Sequence, residues 1–129
     1  MKFNSLIPEL SVTDIEKSKR FYIDILGFKI EYEREENKFI FISLDNCQLM
    51  LEQINDNWNV GEMAYPFGRG INLEITVSDV SSLYHRVLEN KMPIFRELII
   101  NDYRANDSVI IQKEFLIQDP DGYLLRFVE

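Results

Sequence analysis

The sequence of 129 residues has very few of the side chains that bind soft metal ions, with one cysteine, Cys47, and one histidine, His85. A single cysteine cannot form an internal disulfide, which indicates a reducing compartment, and these two side chains are too few for a zinc site. The sequence also lacks an apolar run of about 20 residues, the length that a membrane helix needs. Because residues 1–5 lack the charged-then-apolar pattern of a signal peptide, we expect a cytoplasmic protein that does not contact a membrane.

Basic residues are also scarce, since 14 lysines and arginines stand against 22 aspartates and glutamates, for a net charge of −8. This negative field repels phosphate backbones, which argues against nucleic acid as a partner. The excess can serve solubility alone, and it gains a function only where carboxylates converge on a cavity. An apolar content of 46%, with 12% aromatic residues, is enough for the core of one compact domain.

The two halves of the sequence repeat one pattern. Val12 and Asp14 lead into a first helical stretch, and Val77 and Asp79 lead into a second one half a chain later. Each half begins with an apolar strand, passes through one helix and ends in strands. The repeat predicts an α+β fold of two tandem βαβββ modules, residues 1–54 and 70–129, joined by a linker, residues 55–69.

The local signals place the elements within each module. Asp14 and Asp79 are suitable helix N-caps, Gly27 lies where the first helix is expected to end, and the helical spacing places His85 on an exposed face. Residues 101–108, which include Tyr103, read as an irregular loop. The predicted strands are residues 6–12, 28–34, 39–44, 48–53, 71–77, 94–98, 113–118 and 123–128.

Three segments carry a resemblance to a known superfamily. They are residues 7–14 with the following Phe21 and Tyr22, residues 48–52 (Gln-Leu-Met-Leu-Glu), and residues 114–127, which contain Asp-Pro-Asp-Gly at 119–122. With these motifs in this order the chain resembles the vicinal-oxygen-chelate superfamily of glyoxalases, bleomycin resistance proteins and dioxygenases. The resemblance covers essentially the whole chain and implies modules paired into a cupped mixed sheet, usually in homodimers, with the ligand or metal inside the cup.

The resemblance also locates four metal-ligand positions, which the enzymes of the superfamily fill mostly with His and Glu. In this sequence they fall on Ile7, Asn72, Arg126 and, depending on register, Met50 or Glu52. An isoleucine has no lone pair to donate and a guanidinium is a fixed cation, so neither can bind a divalent ion. We therefore expect a protein without a metal or another cofactor.

Strand parity indicates what replaces the metal, because residues two apart on a strand share one face. On this basis Glu9, Glu52 and Glu74 would surround Arg126 in an anionic, partly apolar cup suited to a cationic or hydrogen-bond-rich ligand. In a second interpretation Arg126 merely pairs with one of these glutamates inside the sheet, since buried charges persist only when paired. The two interpretations are compatible.

Within the superfamily the sequence most resembles the bleomycin resistance proteins, which sequester a cationic drug in an acidic groove at a dimer interface. This implies a metal-independent, homodimeric protein with a role in antibiotic resistance, which binds a cationic or aromatic small molecule. Four aromatic residues of the irregular segments, Trp58, Tyr65, Phe67 and Tyr103, either stack on such a ligand or cover the core or a dimer contact. The candidate ligand-binding residues are Glu9, Met50, Glu52, Trp58, Asn72, Glu74, Tyr103 and Arg126.

An enzyme remains the alternative, although the occupied metal positions favour a binding protein. In a lyase, transferase or dioxygenase-like enzyme of this superfamily, Glu52 or Glu74 would act as the general base. Arg126 would stabilise a developing oxyanion.

Overall fold

The structure, a computed structural model, describes all 129 residues and contains two four-stranded sheets. The first sheet has the spatial order β1-β4-β3-β2 and consists of β1 (Glu9–Val12), β2 (Lys29–Arg34), β3 (Phe39–Leu44) and β4 (Cys47–Gln53). The second has the order β5-β8-β7-β6 and consists of β5 (Asn72–Thr76), β6 (Arg96–Ala105), β7 (Ser108–Gln118) and β8 (Leu124–Val128). In each sheet the first strand runs parallel to the last, and the other pairs are antiparallel. The shared topology confirms the α+β fold that the repeat predicts.

One helix follows the first strand of each sheet. Helix α1 (Ile15–Lys19) continues as a π-helical segment (Arg20–Ile25), and helix α2 spans Val80–Glu89. Both predicted caps are present, since Asp14 accepts backbone N–H groups of the first turn of α1 and Asp79 accepts that of Ser82. A 3₁₀ turn, Glu35–Asn37, joins β2 to β3. None of these helices has the length and hydrophobicity that a membrane span requires.

The hydrophobic core runs without interruption between the two sheets. It combines Leu10 and Leu51 of the first sheet, Phe115 and Phe127 of the second, and helix residues such as Val87. Because successive strand residues point to opposite faces, the alternate positions of each sheet face away from this shared core. The fold therefore presents two separate outer faces, one on each sheet, and both carry polar side chains.

The predicted first strand is longer than the observed one. Residues 6–8 lie outside β1 because Pro8 has no N–H to donate to a ladder, although its carbonyl still accepts the N–H of Met50 at 2.9 Å.

The prediction of an irregular loop at residues 101–108 is wrong. β6 and β7 extend to Ala105 and Ser108 and form a long hairpin whose turn residue Asn106 has a φ of 56°. Polar residues such as Asp102 and Arg104 are compatible with this hairpin because they are exposed on it. Their composition resembles that of a loop, but their alternation is that of a solvated strand.

Candidate functional site

The outer face of the second sheet, named here the Arg126 face, contains a cleft of about 310 Å³. Its strands bring side chains together by register, with Asn72 beside Leu124, Glu74 beside Arg126 and Arg126 beside Leu116. The residues of this face that line the cleft include Asn72, Asn101, Tyr103, Glu114, Leu116, Leu124 and Arg126.

An ion-pair network around Arg126 forms the floor of this cleft. Arg126 lies between two carboxylates, with Nη2 3.5 Å from Glu74 Oε1 and Nη1 3.8 Å from Glu114 Oε2. Glu114 Oε1 accepts the side-chain N–H of Asn101 at 3.0 Å and a short hydrogen bond from the Tyr103 hydroxyl. This bond raises the pKa of Tyr103, because the hydroxyl proton is held by a carboxylate. The network presents two negative charges and one positive charge to the cleft.

Glu114 is a residue of this site that the sequence did not predict. In the structure only 2% of its side chain is exposed. The available signal was parity on β7, because Glu114 shares a face with Leu116, the residue in register with Arg126. A polar residue in that buried row needs partners from the neighbouring strands. It finds them in Arg126, Asn101 and Tyr103.

The outer face of the first sheet, named here the Glu52 face, carries a second pair of carboxylates. Parallel pairing of β1 with β4 sets Glu9 beside Met50 and Ser11 beside Glu52. Glu52 is buried, and its Oε1 atom accepts Asn55 Nδ2 at 2.9 Å and Trp58 Nε1 at 3.2 Å. The pKa of Glu9 is raised by burial and by the charge of Glu52, and Arg34 opposes this shift.

Aromatic rings form the rest of the Glu52 face. Tyr32 stacks on Phe41 with ring centroids 5.0 Å apart, and Phe3 meets Phe41 edge-on at 5.4 Å. The Arg34 guanidinium lies 3.9 Å from the centroid of the Phe39 ring. The carboxylates of this face are therefore bordered by a largely apolar, aromatic surface.

The structure divides the eight candidate residues between the two faces. Arg126 contacts Glu74 but forms no ion pair with Glu9 or Glu52, so a single chain does not assemble three glutamates around it. Arg126 instead pairs with Glu74 and Glu114 within its own sheet, as the second interpretation of the sequence has it. Glu9, Met50, Glu52 and Trp58 belong to the Glu52 face, and Asn72, Glu74, Tyr103 and Arg126 belong to the Arg126 face.

The four loop aromatics also separate. Phe67 is buried and packs edge-on against Tyr123, so it covers the core, whereas Trp58 and Tyr65 are exposed. Tyr103 lies on β6, where its hydroxyl is held by Glu114.

The side chains at the four expected metal-ligand positions do not fit a divalent ion. Ile7 offers no donor atom and Arg126 brings a cation already engaged by two glutamates. Nowhere does the structure bring three His, Cys, Asp or Glu side chains together in an arrangement that could hold a metal. His85 lies exposed on α2, as predicted, with Nδ1 2.7 Å from the carbonyl oxygen of Ser81.

The family model of the Glyoxalase/Bleomycin resistance protein/Dioxygenase superfamily matches residues 3–127. The chain belongs to this superfamily. A lactoylglutathione lyase of Haemophilus influenzae is 26% identical to this superfamily member, over 93% of this chain and 87% of the relative. A probable lactoylglutathione lyase of Synechocystis sp. is 25% identical, over 93% of this chain and 90% of the relative. These relatives do not carry the name of bleomycin resistance proteins, so the finer resemblance stays a prediction.

Solved structures of low sequence identity share the fold. TioX from Micromonospora sp. ML1 has a TM-score of 0.73 at 17% identity, with 98% of each chain covered. A structure from the mobile metagenome of V. pseudocholerae has a TM-score of 0.70 at 21% identity, covering 99% of this chain and 95% of the other. At this level of identity the similarity establishes the fold alone.

Proposed function

We propose that this superfamily member is a metal-independent binding protein that sequesters a cationic or aromatic small molecule, in the manner of the bleomycin resistance proteins. The observation that carries the proposal is the state of Arg126, a guanidinium at a metal-ligand position that is fixed by Glu74 and Glu114. The guanidinium has no lone pair for a metal and occupies the carboxylates of its own cleft, whereas Glu9 and Glu52 on the other face form no ion pair and remain available to an organic cation.

Charge and aromatic surface support the choice of ligand. Four carboxylates, those of Glu9, Glu52, Glu74 and Glu114, lie on the two outer faces, and the Glu52 face adds stacked aromatic rings. A protein that binds stoichiometrically relies on such preorganised surfaces, since its affinity is its whole function. Drug sequestration in the cytoplasm is the role that follows from this proposal.

A homodimer is the second part of the proposal. On the core-facing side of β7, Phe115 and Ile117 are buried, whereas Val109 and Ile111 on the same side are 59% and 68% exposed. These exposed apolar side chains form a strip on the β6–β7 hairpin beside Asp102 and Arg104, their partners in register, and such a strip favours burial against another protein surface. In the proposed dimer a second copy covers the hairpin, and the Glu52 face of one copy completes the Arg126 face of the other.

A calorimetric titration of metal-free protein with bleomycin tests the ligand. We expect a dissociation constant of about 1 µM or below, equivalent to about 8 kcal/mol of binding free energy, and no change in stability after dialysis against a chelator. Absence of binding heat contradicts a bleomycin-type role. Recovery of a stoichiometric divalent metal from purified protein contradicts metal independence.

An enzymatic function is the second candidate, and the names of the two lactoylglutathione lyases favour it. In this alternative Glu52 or Glu74 abstracts a proton and Arg126 stabilises a developing oxyanion. It predicts turnover of lactoylglutathione that is lost in the Glu52→Gln or the Glu74→Gln variant. Turnover that persists unchanged in both variants contradicts this assignment.

A further inference from the structure

The Glu52 carboxylate uses only one of its two oxygens. Both donors that reach it, from Asn55 and Trp58, bind Oε1, and no hydrogen bond involves Oε2. Three side-chain atoms of the protein are fully buried without a hydrogen-bond partner, namely Ser18 Oγ, Asn59 Oδ1 and Arg126 Nε. Glu52 Oε2 is not among them, so it is accessible to solvent, although only 9% of the residue is exposed. Glu52 is thus a nine-tenths buried carboxylate with one unpaired oxygen that still meets solvent, and such an oxygen favours a donor from outside the chain.

The two carboxylates of this face also lack an ion-pair partner. Every salt bridge of the protein involves a glutamate, but none of them involves Glu9 or Glu52. The basic residue of the same face, Arg34, lies over the Phe39 ring; its charge opposes the rise in the pKa of Glu9, but it forms no ion pair with either carboxylate. Partly buried carboxylates are usually paired, so this face is electrostatically complementary to a positively charged ligand.

Trp58 provides a flat surface beside the unpaired oxygen. Its indole N–H is bound to Glu52, yet 60% of the residue is exposed. The segment that carries it is held by Asn55, which donates to Glu52 and accepts the backbone N–H of Asn57 at 3.0 Å. An indole that is anchored at its polar edge and exposed on its rings is preorganised for stacking.

We propose that Glu52, Glu9 and Trp58 form a subsite for a planar organic cation with several N–H groups, an amidinium or a guanidinium. The charged N–H groups donate to Glu52 Oε2 and to Glu9, and the plane of the cation stacks on the indole ring. The subsite deepens the proposed binding function and rests on it, because it specifies the group of the ligand that the Glu52 face recognises. A planar cation uses both the oxygen and the ring, whereas a neutral amide of the same shape lacks the charge.

Benzamidine is the probe, and benzamide is its neutral counterpart of the same shape. Trp58 is the only tryptophan of the chain, so its fluorescence reports occupation of the subsite directly, and calorimetry gives the affinity. We expect benzamidine to bind and to change the Trp58 emission. We expect binding about tenfold or more weaker for benzamide, and an equal loss for benzamidine in the Glu52→Gln variant.

The control is Glu89→Gln, which removes a carboxylate from the exposed surface of α2 and should bind benzamidine as the wild type does. Should Glu52→Gln not fold, as judged by circular dichroism, Trp58→Ala replaces it in calorimetry, because the exposed ring contributes little to the core. A several-fold loss of affinity is expected there.

Three results overturn the subsite: no benzamidine binding, equal binding of benzamide, or full affinity in both the Glu52→Gln and Trp58→Ala variants. The bleomycin titration separates this failure from that of the proposed function. Binding of bleomycin without benzamidine leaves the binding function in place and refutes the subsite. Binding of benzamidine that depends on Glu52, without bleomycin, supports the subsite and refutes the bleomycin-type role.

Discussion

Tyr22, in the helical segment of the first βαβββ unit, donates a hydrogen bond to Asp119 of the second, with Tyr22 Oη 2.8 Å from Asp119 Oδ2. Both residues are buried, and a second bond runs beside it, from Thr13 Oγ1 to Asp121 Oδ1 at 2.6 Å. Two of the motifs that carry the family resemblance, the Phe-Tyr pair and the Asp-Pro-Asp-Gly turn, are therefore in direct contact. Their contact joins the two βαβββ units into one core.

The Tyr22→Phe substitution should lower the free energy of unfolding by about 1–3 kcal/mol, because it leaves Asp119 Oδ2 without a donor in a buried site, while Oδ1 keeps the N–H groups of Asp121 and Tyr123. Urea unfolding at neutral pH measures the loss. The matched control is Tyr84→Phe, since the Tyr84 hydroxyl makes no hydrogen bond, and it should stay within about 0.5 kcal/mol of the wild type. Equal stability of Tyr22→Phe and the wild type contradicts a role for this bond in joining the units.

Asp119 should also make stability depend on pH. Burial raises its pKa from the ordinary 3.8 to about 6, so the folded protein binds this proton more tightly than the unfolded chain does. Its stabilising contribution is fully present below about pH 4 and is lost as the pH rises through about 6, a change of about 3 kcal/mol. The Asp119→Asn variant has no carboxyl group at this position to titrate, so it lacks this contribution to the pH dependence.

The difference in unfolding free energy between the wild type and Asp119→Asn should therefore fall from about pH 4 to about pH 7. Urea unfolding at a series of pH values measures it, with Asp24→Asn at an exposed position as the matched control. A constant difference across this range shows that Asp119 titrates in the folded protein as it does in the unfolded chain.

The features that the sequence predicted correctly depend on local chemistry. Asp14 and Asp79 were identified as caps because their carboxylates accept N–H groups two or three residues away, and the repeat gave the topology of both sheets. The hairpin at Ile99 to Ile111 was missed because its exposed polar positions have the composition of a loop. Composition could not distinguish a solvated two-stranded ribbon from irregular chain.

The arrangement of the candidate site was less predictable, since it depends on contacts between distant parts of the chain. Parity placed Glu9 and Glu74 together on the ligand-facing side of one cup, but it could not show that the two sheets share one core and that these faces point apart. The Tyr22 to Asp119 bond helps to fix that packing, and nothing local to either residue predicts it. Glu114 was missed for a related reason, because its partners come from β6 and β8.

Glu114 and Glu74 contact the same guanidinium but should contribute very differently to stability. Only 2% of the Glu114 side chain is exposed, against 41% for Glu74. Glu114→Ala should cost about 3–5 kcal/mol, because it removes the buried partner of Arg126 and the acceptor of Tyr103. Glu74→Ala should cost at most about 1 kcal/mol, as for exposed ion pairs.

Chemical unfolding of the two variants at one pH compares these costs directly, and Glu89→Ala on the exposed surface of α2 serves as the baseline. Similar losses for Glu114→Ala and Glu74→Ala would show that the buried contacts of Glu114 are no stronger than a surface pair. In that case Arg126 would be free to leave Glu114 for a ligand, and its fixed position would no longer support the proposed function.

The proposed homodimer predicts that a charge on the exposed strip of the β6–β7 hairpin weakens self-association. Ile111 is 68% exposed and lies opposite Asp102 in the hairpin register, beyond the part of β7 where Phe115 is buried. Ile111→Lys should weaken the dimer by about tenfold or more, because burying the ammonium group in the contact costs desolvation that pairing with Asp102 offsets only in part. The free energy of unfolding of the monomer should change by less than about 0.5 kcal/mol, since the residue is exposed within it.

Sedimentation velocity over a range of concentrations measures the effect, with Asn37→Lys in the 3₁₀ turn as a control of equal charge. A wild-type protein that stays monomeric at all concentrations contradicts the homodimer. A dimer that Ile111→Lys leaves intact contradicts the placement of the contact on this hairpin.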